Sequence, residues 1–250
     1  DYRLQYDSEN RTCELRVTQK LDATQDLPHP RAMHIPLGMA LLGVDGQSLT
    51  LETDDQDDDL RNGVLHLKQE SKSIRFTDVD VEPVVSIARN FSAPVRVIAE
   101  VSDATLLFLM RHDDDPFNRW EAAQNYALRL AQSIYNDLGL DESVGVDPKF
   151  AETLRAIVCD SGLEPAYRAE FLALPSQTDI AIALHENVDP ERVRDALTAL
   201  KSAIACDLET DLDELLKDRQ ANEVYSPDAA SAGVRSLRNA ALALICAPGN

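Results

Sequence analysis

Glycine is scarce. The chain has nine in 250 residues, and none builds a Walker loop, a GxGxxG turn or a GxSxG elbow. The common backbone cradles for phosphate and the strained nucleophile turn of many hydrolases are therefore excluded. Positive charge is also in short supply: 24 Lys and Arg stand against 44 Asp and Glu, a formal net charge of -20. Such a field repels a phosphate backbone, which argues against a nucleic-acid partner. No window approaches about 18 uninterrupted apolar residues, so no segment reads as a membrane span. The four cysteines, Cys13, Cys159, Cys206 and Cys246, never form the CxxC spacing of zinc or dithiol redox chemistry. They read as buried or partly buried free thiols, in keeping with a reducing cytoplasm. The first residues lack the basic and apolar regions of a signal peptide. The chain opens at Asp1, without Met, inside what reads as a strand, and the expectation is a piece of a longer protein.

The residues that are present divide by periodicity. Apolar residues make up 44% of the chain and charged residues 27%, the balance of an ordinary globular protein large enough for one or two domains. In "TCELRVTQ" (12–19), Cys13, Leu15 and Val17 alternate; in "GVLHLKQE" (63–70), Val64 and His66 do so; in "VRVIAEV" (95–101), Val95, Val97, Ala99 and Val101 follow. With "MHIPLGMALLGV" (33–44) and "SIRFTDV" (73–79), these runs predict roughly six or seven short strands of an antiparallel, Ig-like β-sandwich. Near Ser102 the period becomes helical. Trp120, Ala123, Ala127, Leu130 and Ile134 share one stripe, as do Val193, Leu197, Leu200, Ile204, Leu208, Leu212 and Leu215, and then Val234, Leu237, Ala241, Leu244 and Ile245. Asp115-Pro116, Asp147-Pro148, Asp189-Pro190 and Ser226-Pro227 each pair an acceptor side chain with a proline, the signature of a helix start. The expected organisation is a β-sandwich over 1–101, then an all-α domain of antiparallel helix pairs, solenoid-like, over 102–250.

Three stretches invite a chemical reading. "HDDDPFNRWEAAQ" (112–124) sets His112 beside Asp113, Asp114 and Asp115. Its position at a helix boundary makes the last aspartate a cap and its neighbours complements to the helix dipole. His185-Glu186 begins an HExxH pattern, but the fifth position is Asp189, followed by Pro190, so no second histidine returns one turn later to close a zinc site. "ETDDQDDDLRNG" (52–63) is densely acidic, yet from Asp54 or Asp55 the sixth and twelfth residues are Asp59 and Leu65, or Leu60 and His66. Neither frame supplies the glycine and glutamate of a calcium loop; a solvated hairpin loop fits better, with a calcium-responsive module as a weaker alternative. His29, His34, His66, His112 and His185 are scattered, and no two share helical metal spacing. Sequence reading assigns no catalytic, cofactor-binding or metal-ligating residue.

Six stretches, in order, do resemble a known family. "HIPLGMALLGVDG" (34–46), "FSAPVRV" (91–97), "LMRHDDDPFNRWEAAQ" (109–124), "LALPSQTDIA" (172–181), "VDPERV" (188–193) and "YSPDAASAGVRSLRNAAL" (225–242) are similar to the carboxyl-terminal part of bacterial aminopeptidase N, a zinc metallopeptidase family. The resemblance implies a parent with an amino-terminal β domain, a thermolysin-like catalytic domain, a small β-sandwich and a helical domain that closes over the active site. It also implies that zinc and the substrate amine are held in the catalytic domain, by an HExxH helix, a later glutamate and a GAMEN-type strand. This sequence contains neither motif, so no zinc ligand or catalytic residue carries over to any position here. The implied partners are the other domains of the parent chain and, for the parent, peptides; zinc belongs to the parent alone. A stand-alone interaction module with a concave helical surface is the alternative.

Overall fold

The computed structural model describes residues 1–23, 30–50, 52–53, 59–138, 146–217 and 226–247. They fall into two compact units, Asp1–Arg119 and Trp120–Asn250.

The first unit holds Tyr2–Asp7 (β1), Thr12–Thr18 (β2), Ile35–Leu42 (β3), Glu52–Thr53 (β4), Leu60–Arg61 (β5), Val64–Leu67 (β6), Ser71–Thr77 (β7) and Val84–Ile87 (β8). They form two antiparallel sheets, ordered β1-β2-β7-β4 and β5-β6-β3-β8. Because successive side chains of a strand point to opposite faces, one register decides which residues go inside. Cys13 opposite Phe76 and Leu15 opposite Ile74 place the inner face of the first sheet. Leu37 opposite Leu65 and Ile35 opposite Leu67, then Leu41 opposite Val85 and Met39 opposite Ile87, place that of the second. These residues apart from Ile35, with Val17 and Val79, belong to one buried cluster on which the partly buried Ile35 packs, the filling of a sandwich.

Two expectations for this unit are corrected. Leu65 and Leu67 face inward, not Val64 and His66; "VLHL" has apolar residues in both phases, and the pairing with β3 selects one. Residues 95–101 are no strand. Val97 does pack on the sandwich cluster, but Ile98 is 65% exposed. The alternation is real, but among the described residues no neighbouring strand takes up the backbone, and period two alone cannot supply one. After this run Asp103–His112 (α1) starts at Ser102, whose side chain accepts the Thr105 amide, and packs against β8.

The boundary between the units falls inside Pro116–Asp137 (α2). The second unit continues with Pro148–Val158 (α3), Pro165–Leu172 (α4), Gln177–Leu184 (α5), Pro190–Asp207 (α6), Glu209–Lys217 (α7) and Ala229–Ile245 (α8). Helix α8 packs against α4, α6 and α7, and α3 against α4. Asp147 caps α3 through the Lys149 amide, and Asp189 caps α6 through the Glu191 and Arg192 amides. Ser226-Pro227 is two residues early: Asp228 caps α8, accepting the Ser231 amide at 2.9 Å. The long stripe from Val193 to Leu215 is two helices, broken at the fully buried Leu208. Val234 is exposed, and Gly233 takes its place on the buried face of α8. A Cβ at Gly233 would lie 3.0 Å from the Ala166 amide nitrogen of α4.

Candidate functional site

The segment that joins α1 to α2 is where polar groups concentrate in the interior. Ser86, Asp113, Asp115 and Asn118 are 1%, 3%, 2% and 8% exposed. Asp115 Oδ1 accepts the Phe117 and Asn118 amides, each at 3.0 Å, and so caps α2. Its Oδ2 accepts the Asn90 amide at 2.8 Å. Asn90 lies in a short 3-10 turn, Arg89–Phe91, with a positive φ of 53°. Asn118 donates through Nδ2 to Ser86 Oγ and to the Ile87 carbonyl of β8, both at 2.9 Å. Arg89 pairs with Asp114, and the Phe91 and Phe117 rings meet at 4.2 Å. Asp113 accepts the Asp115 amide at 2.9 Å. Burial pushes its carboxyl above the usual carboxylate range; that amide, the Ser86 hydroxyl and the Arg89 charge oppose the shift.

This arrangement fixes backbone rather than performing chemistry. A carboxylate that accepts three amides ties the 3-10 turn and the first turn of α2 to one side chain. Buried hydrogen bonds of this kind specify one geometry for the joint between β8 and the start of α2.

The other residues singled out in sequence lie apart. His112 ends α1 with its ring 5.0 Å from Phe108. Burial, with the charges of Arg111 and Arg119, holds its pKa below the usual histidine value, against Asp45. A Cβ at Gly46, where φ is +79°, would come within 2.5 Å of His112 Cβ, so only glycine fits that turn. His185 follows α5 with φ at 65°, and Asp189 is taken up by the cap of α6. Of the acidic run, residues 54–58 lie outside the described residues. Asp59 is described, and its carboxylate meets Lys68 Nζ at 2.7 Å and Lys72 Nζ at 3.2 Å. All four cysteines are free, but only Cys13 is buried; Cys159, Cys206 and Cys246 are exposed, so three of the four depart from expectation. Burial raises the Cys13 thiol to about 11. His29 also lies outside the described residues.

Two histidines do meet. His34 Nε2 and His66 Nδ1 are 2.9 Å apart, a proximity hidden in sequence because it depends on the β3–β6 register. Among the described residues no three His, Cys, Asp or Glu side chains are grouped to hold a metal ion. The zinc that the resemblance implies for the parent therefore finds no fitting ligand set among them. A groove of about 810 Å3 runs along Tyr2–Gln5, Glu82–Val85 and Ile98–Ser102, flanked by the edge strands β1 and β8 of the two sheets.

Residues 103–250 match the family described as domain of unknown function (DUF3458_C), ARM repeats. The chain belongs to the DUF3458_C family. Residues 1–100 match a second, described as domain of unknown function (DUF3458), Ig-like fold. The expected fold class, an Ig-like sandwich followed by helical repeats, holds. Aminopeptidase N of Escherichia coli is 30% identical over 239 residues, 95% of this chain and 27% of that protein. Aminopeptidase N of Caulobacter vibrioides is 36% identical over 177 residues, 71% of this chain and 20% of that protein. The crystal structure of Legionella pneumophila aminopeptidase A in complex with aspartic acid shares the fold, with a TM-score of 0.76 and 24% identity over 98% of this chain and 27% of that one. The resemblance to the carboxyl-terminal part of bacterial aminopeptidase N is thus upheld. The chain spans between 20% and 27% of the length of these relatives.

Proposed function

We propose that this DUF3458–DUF3458_C chain is a non-catalytic portion of a zinc aminopeptidase N, supporting and enclosing an active-site cavity built by other parts of the parent. The observation that carries the reading is the mismatch of coverage: 95% of the chain matches aminopeptidase N from Escherichia coli, yet it accounts for 27% of that protein. The parent would use zinc-activated water to remove amino-terminal residues from peptides. The sandwich and helices would act by shape, admitting short unfolded peptides and shutting out folded ones. Residues 1–101 and 102–250 are the proposed modules, a division supported by family matches over 1–100 and 103–250. The proposed location is the cytoplasm, with no nucleic-acid or membrane partner. Four free cysteines and a net charge of -20 support this. Among the described residues no helix is long and apolar enough to cross a membrane.

The test pairs two measurements. The purified chain, given zinc and an aminoacyl-anilide, is expected to release no anilide; zinc-dependent turnover by this chain overturns the proposal. The gene upstream of Asp1 is expected to encode an HExxH helix followed by a later glutamate. A start codon there without such a helix would favour the second reading, a stand-alone interaction module presenting a concave helical surface. The ARM-repeat match speaks for that reading, since such arrays bind partners along one face.

A further inference from the structure

The pair of histidines on the second sheet carries an inference of its own. Pro36 of β3 stands opposite His66 of β6. His34, two residues before Pro36, is therefore the diagonal neighbour of His66 on the outward face, within reach for long or aromatic side chains. The rings lie 5.1 Å apart at 52°, and His34 Nε2 and His66 Nδ1 share a 2.9 Å contact. Imidazole nitrogens bind a borderline divalent ion at about 2.0–2.1 Å, which puts two neighbouring ligands of one ion about 2.9–3.4 Å apart. The observed spacing falls at the lower edge of that range. His34 is exposed and His66 half-buried, so an ion reaches the pair from solvent, and the Ile35–Leu67 pairing holds the residue next to His34 in register with β6.

We propose that His34 and His66 form a two-histidine site for a borderline divalent transition ion of the nickel and copper class. Binding moves the proton now shared between the rings to the far nitrogen of its own ring, leaving a lone pair on His34 Nε2 and on His66 Nδ1 for the ion. Water fills the other coordination positions. Calcium and magnesium are poor occupants, because they select oxygen ligands. Lys68, two residues beyond His66 on the same face, has its ammonium engaged by Asp59 at 2.7 Å.

Isothermal titration of the whole chain with Ni2+ tests this, after alkylation of the thiols, because Cys159, Cys206 and Cys246 are exposed. One equivalent is expected to bind. His34→Ala and His66→Ala should each weaken binding by at least tenfold, and His112→Ala and His185→Ala should leave it unchanged. A matching melt separates a lost ligand from a damaged fold. Ni2+ should raise the midpoint of the wild-type chain and not that of His34→Gln, whose metal-free midpoint stays at the wild-type value. No saturable uptake by the alkylated wild type, or unaltered uptake by His34→Ala and His66→Ala, overturns the proposal.

Discussion

Asn118 shows how one buried side chain fixes a joint. Its Nδ2 donates to Ser86 Oγ and to the Ile87 carbonyl, and at 8% exposure water does not readily replace it. Asn118→Ala should lower the free energy of unfolding by about 1–3 kcal/mol, the usual cost of leaving a buried acceptor without its donor; urea denaturation measures it. Asp113 predicts a pH effect. A carboxyl whose folded value is raised by burial binds its proton more tightly in the folded chain than in the unfolded one. Acid therefore favours folding at this residue, and stability falls as pH rises from the unfolded value of about 3.9 through the raised folded value. Asp113→Asn should stabilise the chain at pH 7, with the advantage shrinking as pH falls through that window. Denaturant midpoints across pH check both sign and position. Neither role was legible in "HDDDPFNRW". The sequence exposes the Asp115 cap, because a cap is local. It conceals the Asn118–Ser86 bond, which spans 32 residues and exists only once β8 is placed.

At the scale of elements, arginines close helix ends. Arg192 of α6 donates to the Tyr135, Asn136 and Leu138 carbonyls at the end of α2 and stacks over the Tyr135 ring at 5.1 Å. Arg119 does the same for Met110 of α1, Arg168 for Val158 of α3, and Arg155 for Asp207 of α6. The last carbonyls of a helix have no partner within it and carry the negative end of its dipole, so a guanidinium serves both needs. Arg192→Met should cost about 1.5–3 kcal/mol in unfolding free energy, the range for charge-assisted bonds. Arg192→Lys should restore only part of that, since one ammonium cannot span three carbonyls as a planar fork does. Chemical denaturation of the two variants side by side decides it. Helix starts were readable from Asp-Pro pairs because cap and proline are neighbours. Helix ends were not, because their arginine partners come from other helices. For the same reason the stripe through Leu208 read as one helix: periodicity survives a break when both halves bury the same face. Residues 95–101 show the converse, an alternating pattern without the partner strand that pattern alone cannot guarantee.

For the whole molecule the dominant fact is a net charge of -20. The self-repulsion of such a chain is relieved by salt. Raising ionic strength from about 0.01 M to about 0.15 M shortens the Debye length from about 30 Å to about 8 Å. The melting midpoint should rise by about 2–4 °C for each kcal/mol so recovered. A salt series followed by circular dichroism tests this, and a flat or falling midpoint would show that attractive ion pairs outweigh the repulsion. Fold class was legible at this scale because the change from period two to period 3.6 reflects burial geometry. The family relationship was legible because six local stretches keep their order. The chemistry of the parent was not, because this chain lacks the residues through which the resemblance would transmit it.

Residues 96–100 belong to neither sheet, although Val97 packs on the sandwich cluster. Backbone protons there lack the shelter that β2 or β7 gives its own. Transferred into heavy water, this stretch should take up deuterium within seconds, while the strands beneath it stay protonated for hours, leaving a narrow isotopic stripe ahead of the first helix.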